Sequence, residues 1–103
     1  WYMFVSHGNT IIQAESSDGL TFKRLQEINT IGGVPDVTQI NGKYYLFTCA
    51  NGISYSISDN LVDWSKLKNA IKPWGGGVIC DPTVEKTNEG YMMFLKRMGM
   101  NKQ

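Results

Sequence analysis

Trp1-Tyr2-Met3-Phe4, Tyr44-Tyr45-Leu46-Phe47 and Tyr91-Met92-Met93-Phe94 are three versions of one short apolar, aromatic segment. Phe4, Phe47 and Phe94 follow one another at intervals of 43 and 47 residues. Downstream of the first two copies lies a second repeated element. Ser17-Asp18-Gly19-Leu20-Thr21-Phe22 is answered by Ser58-Asp59-Asn60-Leu61-Val62-Asp63-Trp64. Upstream of the last two lies a third, Val34-Pro35-Asp36-Val37 against Cys80-Asp81-Pro82-Thr83-Val84, with the aspartates 45 apart. Three elements in one order at a period of roughly 40–50 residues, each with strand character, are the pattern of repeated four-stranded sheets set around an axis, a β-propeller.

Outward from these segments the chain reads as strand after strand. Strands are expected at 1–7, 10–16, 21–28, 34–40, 43–50, 53–58, 64–71, 78–87 and 91–97, with the lysines of 64–71 also compatible with a short helix. Asn41-Gly42 and Asn51-Gly52 each separate two apolar runs, the strongest short hairpin signal. Gly8-Asn9 and Asn88-Glu89-Gly90 mark further turns, and Gly75-Gly76-Gly77 a flexible link. No segment sustains a 3.6-residue apolar period, so almost no helix is expected. The fold class is therefore all-β: a partial propeller of four-stranded antiparallel blades. Residues 1–29 form three strands of one blade, 33–72 a full blade, and 77–98 the first two strands of a third. About two and a quarter blades cannot close a ring. Two apolar blade faces and unpaired strand edges are left over, so the chain is expected to be completed by other copies of itself or by a longer polypeptide.

Composition excludes several function classes. With 103 residues, net charge +1 and no basic or acidic block, nothing favours nucleic acid or an anionic membrane as partner. No apolar run approaches the roughly 18–20 residues of a spanning helix. No phosphate-loop spacing surrounds the glycines, and neither a metal nor another cofactor is called for. Cys49 and Cys80, the two cysteines, read first as small buried residues, with a disulfide as the alternative. His7, the lone histidine, has no Ser or Cys partner in evidence and reads as structural or incidental.

Asp36 and Asp81 are the candidate site residues. Each stands beside a proline on the first strand of a blade, where an inner edge strand tolerates proline. Carboxylates at matching positions of neighbouring blades converge on the axis, the geometry that carboxylate chemistry on sugars needs. The simpler reading has both accept backbone N–H bonds. Trp74 is a candidate sugar platform, since a C–H-rich sugar face packs on an aromatic plane, or else an inter-blade packing residue. Asp18 and Asp59 are expected to close turns by bonding nearby backbone, with Phe22 and Trp64 wedged between blades.

In this order the motifs resemble glycoside hydrolase family 43. Gly33-Val34-Pro35-Asp36-Val37 followed by Asn41-Gly42-Lys43-Tyr44-Tyr45-Leu46-Phe47 is similar to that family's second blade. Ile53 to Trp64 is similar to its I-x-x-A-x-S-x-D-L-x-x-W element, through Ser58, Asp59, Leu61 and Trp64 and with one extra residue. Cys80-Asp81-Pro82-Thr83-Val84 is similar to the strand opening its third blade. Sucrose- and fructan-cleaving propellers and mannoside phosphorylases share parts of the pattern. The resemblance implies a five-bladed propeller acting on arabinan, xylan or related polysaccharide. It matches Asp81 to the third-blade aspartate that tunes and orients the acid, and Asp36 to a position near the substrate. The family's general base falls before Trp1 and its general acid beyond Gln103, and Glu15, Glu85 and Glu89 do not stand in the acid motif. Inverting hydrolysis needs both groups. The expectation is thus a carbohydrate-active segment that is catalytically silent alone, or a non-catalytic sugar-binding or self-associating module.

Overall fold

A computed structural model describes residues 1–30, 32–74 and 77–99 of the chain. Among them there are nine strands and no helix: β1 (Tyr2–His7), β2 (Thr10–Glu15), β3 (Lys23–Ile28), β4 (Gly33–Ile40), β5 (Lys43–Cys49), β6 (Ile53–Ser58), β7 (Lys68–Ile71), β8 (Val78–Thr87) and β9 (Gly90–Met98). They form three antiparallel sheets in chain order, β1-β2-β3, β4-β5-β6-β7 and β8-β9. Within each sheet every strand pairs with its sequence neighbour, so each sheet is a meander. At the β4–β5 turn Asn41 and Gly42 both take positive φ, 51° and 82°, as a tight hairpin matched to strand twist requires. Gly52 is required twice over: its φ is +88°, and an added Cβ would lie 2.0 Å from the Ile71 carbonyl oxygen.

The seventh strand is shorter than its lysine-rich sequence suggested. Only 68–71 pair with β6, and Trp64 lies ahead of the strand. Ahead of β7, Ser65 donates its N–H to the Ile57 carbonyl and its hydroxyl oxygen accepts the Ile57 N–H.

Two clusters, one on each side of the four-stranded sheet, make the core. Ile11 and Ile28 of the first sheet bury against Leu46 of the second, with Phe4, Val37 and Trp64 packed around them. Phe47 and Ile53 of the second sheet bury against Ile79 and Val84 of the third, flanked by Tyr45, Tyr55, Met93 and Leu95. Leu46 and Phe47 are adjacent residues on opposite faces of β5, so the middle sheet is apolar on both sides, as period-2 alternation between two packed neighbours demands. The inner strands meet edgewise, with β4 beside both β1 and β8. A Cα radius of gyration of 14.5 Å exceeds the roughly 13 Å of a compact chain this long, in keeping with sheets set in a row.

Polar bonds tie the row together. Gln13, fully buried on β2, donates Nε2 to the Leu61 carbonyl of the second sheet at 2.6 Å and accepts from the Trp64 indole N–H at 3.3 Å and from Gln26 Nε2 at 2.8 Å. Trp64 stands between the first two sheets as expected, edge-on to Phe4 with ring centroids 5.9 Å apart.

The cysteines correct the first sequence reading. Cys49 at the end of β5 and Cys80 on β8 are half-buried and joined in a disulfide, with Cα atoms 4.9 Å apart. They lie 31 positions apart in sequence, with β6 and β7 between them, and pair because the third sheet packs on the second with β8 against β4 and β5. Closing a loop of that length removes about 3–4 kcal/mol of denatured-state freedom.

Replacing Trp64 with alanine removes a large ring from the first seam and a donor from Gln13. A loss of about 3 kcal/mol in denaturant unfolding is expected. A loss under about 1 kcal/mol would show that the seam does not depend on this ring.

Candidate functional site

β4 and β8 are built alike, and their shared geometry locates the candidate residues. Both ladders are regular except at the proline. Gly33 pairs with Cys49 and Asp36 with Phe47, leaving Val34 and Pro35 in a bulge. Cys80 pairs with Lys96 and Thr83 with Phe94, leaving Asp81 and Pro82 in a bulge. The residue before each proline takes positive φ, 53° at Val34 and 55° at Asp81. Every one of these positions is related by an offset of 47 residues.

That offset overturns the pairing of the two aspartates. At 45 residues apart they are not equivalent: Asp81 corresponds to Val34, and Asp36 corresponds to Thr83. Matching carboxylates to each other ignored the proline, whose missing N–H is what forces the bulge and so sets the register. Val34 is thereby a β-branched residue in a conformation it rarely adopts, at a cost of about 1–3 kcal/mol. Its N–H is held by the Ser6 hydroxyl of β1 at 2.6 Å.

Among the described residues the two carboxylates share no hydrogen-bond partner. Asp36 is half-buried and turned toward the third sheet, where Oδ2 accepts the Val84 N–H at 3.1 Å. Thr38 lies across the same seam, donating to the Val84 carbonyl at 3.2 Å and approaching Asp36 Oδ2 at 3.5 Å. This is the backbone-acceptor role set out from sequence, realised between sheets. Asp81 is different. Its side chain is 46% exposed, and Lys96 Nζ of β9 stands 3.4 Å from Oδ2.

Trp74 follows β7 and is 49% exposed. The Arg97 guanidinium lies over its ring, 5.8 Å from the centroid, and Arg97 Nη2 donates to the Trp74 carbonyl at 3.4 Å. Gly75 and Gly76, the flexible link expected after it, lie outside the described residues; Gly77 donates its N–H to the Trp74 carbonyl at 3.2 Å. A surface depression of about 390 Å³ is lined by Glu15, Ser16, Ser17, Thr21, Phe22 and Lys23 at the far end of the first sheet and contains none of the three candidates. Among the described residues no group of three His, Cys, Asp or Glu side chains could hold a metal ion. His7 lies exposed, 3.7 Å from Glu27.

The polar turns after β2 and β6 were read one residue out of step. Ser16 Oγ accepts the N–H groups of Asp18 and Gly19, and Asp18 Oδ1 accepts those of Leu20 and Thr21. In the second sheet Ser58 Oγ accepts the N–H groups of Asn60 and Leu61, and Asn60 Oδ1 accepts those of Val62 and Asp63. Ser16 therefore corresponds to Ser58 and Asp18 to Asn60. Asp59 does not close the turn; it is exposed and paired with Lys43 at 2.7 Å, because Asn60 already supplies the acceptor. The bond register, which sequence similarity of Asp to Asp concealed, was visible only as the spacing from Ser58 to Trp64.

No protein-family model, curated protein or solved structure matches this chain.

Two predictions follow from these bonds. Asp36→Ala strands the Val84 N–H between sheets and is expected to cost about 1–3 kcal/mol in chemical denaturation, with Asp36→Asn recovering part of it. At the first turn, N–H donation from Thr21, then from Leu20 and from the Ser16 hydroxyl, holds the Asp18 carboxyl down from its ordinary 3.8 to about 2. A lowered folded-state pKa gives stability that is full above 3.8 and lost as pH falls through about 2. Asp18→Asn copies the acceptor used at Asn60. It should keep the turn and flatten the fall in thermal midpoint across that acidic window.

Proposed function

We propose that the chain is a run of about two and a quarter blades from a carbohydrate-active β-propeller of the glycoside hydrolase family 43 kind, with Asp81 as its retained channel carboxylate and without hydrolytic competence by itself. The observation that carries this reading is the repeated proline bulge on adjacent inner strands. Three meanders of three, four and two strands, with β4 lying between β1 and β8, have the strand order and neighbour relations of successive blades.

The corrected turn register strengthens the resemblance. Aligned by their hydrogen bonds, the turns read Ser16-x-Asp18-Gly19-x-x-Phe22 and Ser58-x-Asn60-Leu61-x-x-Trp64. The second copy then fits the family's S-x-D-L-x-x-W element with no extra residue, with asparagine in place of the aspartate. Its role there is structural, since the side chain is spent on backbone N–H groups.

In this reading Asp81 and Trp74 face the sugar, and Asp36 acts by holding β8 against β4 so that Asp81 is placed. Asp81 belongs to a bulge that aims one side chain out of the ladder, a device common beside functional sites. Asp81 alone cannot both protonate a leaving oxygen and activate water on the opposite face of a ring. A blade with one such carboxylate and a half-exposed tryptophan is therefore suited to holding a saccharide rather than cleaving it.

Titration calorimetry with xylo- and arabino-oligosaccharides tests the proposal, beside turnover assays on nitrophenyl arabinosides and xylosides. Binding in the millimolar range, lost in Asp81→Asn and Trp74→Ala, with no turnover, is the expected result, since an open site without hot-spot burial sits near 4 kcal/mol. Absence of binding to either sugar series overturns the carbohydrate reading. Turnover abolished by Asp81→Asn overturns the claim that the acid and base are missing.

A further inference from the structure

We infer that the Cys49–Cys80 disulfide is a redox-controlled latch on the bulge that presents Asp81, so that its reduction loosens this bulge and leaves the sheets folded. The inference concerns how Asp81 is placed and does not depend on what Asp81 binds.

The two seams are closed at the same point by different chemistry. Cys49 stands 43 residues after Ser6, the offset that relates Phe47 to Phe4. Cys80 stands 47 residues after Gly33, the offset that relates the two proline bulges. Ser6 and Gly33 at the first seam are therefore the counterparts of Cys49 and Cys80 at the second. They lie close together, since a Cβ added to Gly33 would stand 2.9 Å from Ser6 Oγ. There the closure is a hydrogen bond, in which Val34, the counterpart of Asp81, donates its N–H to Ser6 Oγ at 2.6 Å. At the second seam the closure is covalent, with Cα atoms 4.9 Å apart. The first seam thus holds the same bulge without a covalent bond. What the sulfur pair adds is a tie that a reductant can open.

The tie sits where it controls Asp81. Cys80 is the last ladder residue before the bulge, and Asp81 follows it directly with φ of 55°, a conformation unfavourable to a non-glycine residue. On the far side of the bulge Thr83 resumes the ladder, and Val84 donates its N–H to Asp36. Opening the disulfide removes the first anchor and leaves the second, together with the burial of Ile79 and Val84 against Phe47 and Ile53. The expected response is therefore local. Both cysteines are half-buried, and Cys49 lines a depression of about 200 Å³ that has Asn51 and Gly52 on the side of the second sheet and Val78 and Ile79 on the side of the third. A small thiol can approach the bond there.

The step is thiol–disulfide exchange with a dithiol. One thiolate of the dithiol attacks a sulfur of the pair, which breaks the Cys49–Cys80 bond and forms a mixed disulfide. The second thiol of the reagent then displaces the remaining cysteine. Two electrons and two protons pass to the protein, which gains two thiols, and the dithiol becomes a disulfide.

Hydrogen exchange read by mass spectrometry on the full chain, before and after dithiothreitol, tests the inference, with the bulge of β4 as internal control. Two thiols should titrate, the far-ultraviolet circular dichroism should stay unchanged, and exchange over residues 78–84 should rise by about tenfold or more. Residues 33–37 and the first sheet should not respond, and reoxidation should restore the slow exchange. Cys49→Ser combined with Cys80→Gly copies the pair of the first seam and should be indifferent to the reductant. A folded chain that yields no thiols in dithiothreitol overturns the inference, and so does unchanged exchange over 78–84 once both thiols have appeared. Loss of the circular dichroism signal on reduction overturns it as well, since the disulfide would then be required for folding. Should the double variant fail to fold, the reduced unaltered chain decides by the same three outcomes.

Discussion

The packing of β5 on both of its faces is the constraint from which the remaining architecture follows. Leu46 and Phe47 are neighbours in sequence and point in opposite directions, and both are buried. A strand can satisfy that only if its sheet lies between two others. The first and third sheets are the partners that the chain itself supplies. Neither has this arrangement on its outer side, so the burial of apolar surface is uneven, complete in the middle and deficient at the ends.

Seams between sheets cannot be closed by main-chain ladders, because each ladder runs within a sheet. Side chains do this instead. Gln13 and Trp64 join the first sheet to the turn of the second, Ser6 reaches the Val34 N–H, and Asp36 reaches the Val84 N–H. The Cys49–Cys80 disulfide adds a covalent tie at the second seam. Gln13 is fully buried, and a polar group there is costly unless paired, so its bonds also fix which sheet lies next to the first. Asp36 illustrates how this bears on function. A carboxylate that in sequence looks like a reacting group is here a strut, and the strut orders the strand that presents Asp81.

The proline bulge links fold and site. Proline withholds an N–H from the β4 and β8 ladders, the ladder skips two residues, and the residue ahead of the proline is turned into left-handed space. In β4 that residue is Val34, whose side chain offers no chemistry; in β8 it is Asp81, whose carboxylate meets Lys96. One backbone device repeated on two strands therefore yields one candidate for ligand contact and one inert counterpart.

Strand number, strand order, the antiparallel meander and the three-four-two grouping were legible in the sequence, because they rest on alternation of side chains and on Asn-Gly turns, both local properties. So were the turn role of Asp18 and the wedge role of Trp64. What lay beyond it was register between repeats. Aspartate looks like aspartate at 36 and 81, and again at 18 and 59, but equivalence is decided by which N–H a side chain can reach and where proline breaks the ladder. The disulfide was likewise hidden, since Cys49 and Cys80 lie on strands that never pair and meet only when two sheets stack. By itself the sequence determined an all-β row of repeated sheets with apolar ends, since those features arise within a few residues of one another. Only the tertiary structure decided that Asp36 spans a seam while Asp81 faces solvent, because that distinction depends on what the neighbouring sheet brings to each carboxylate.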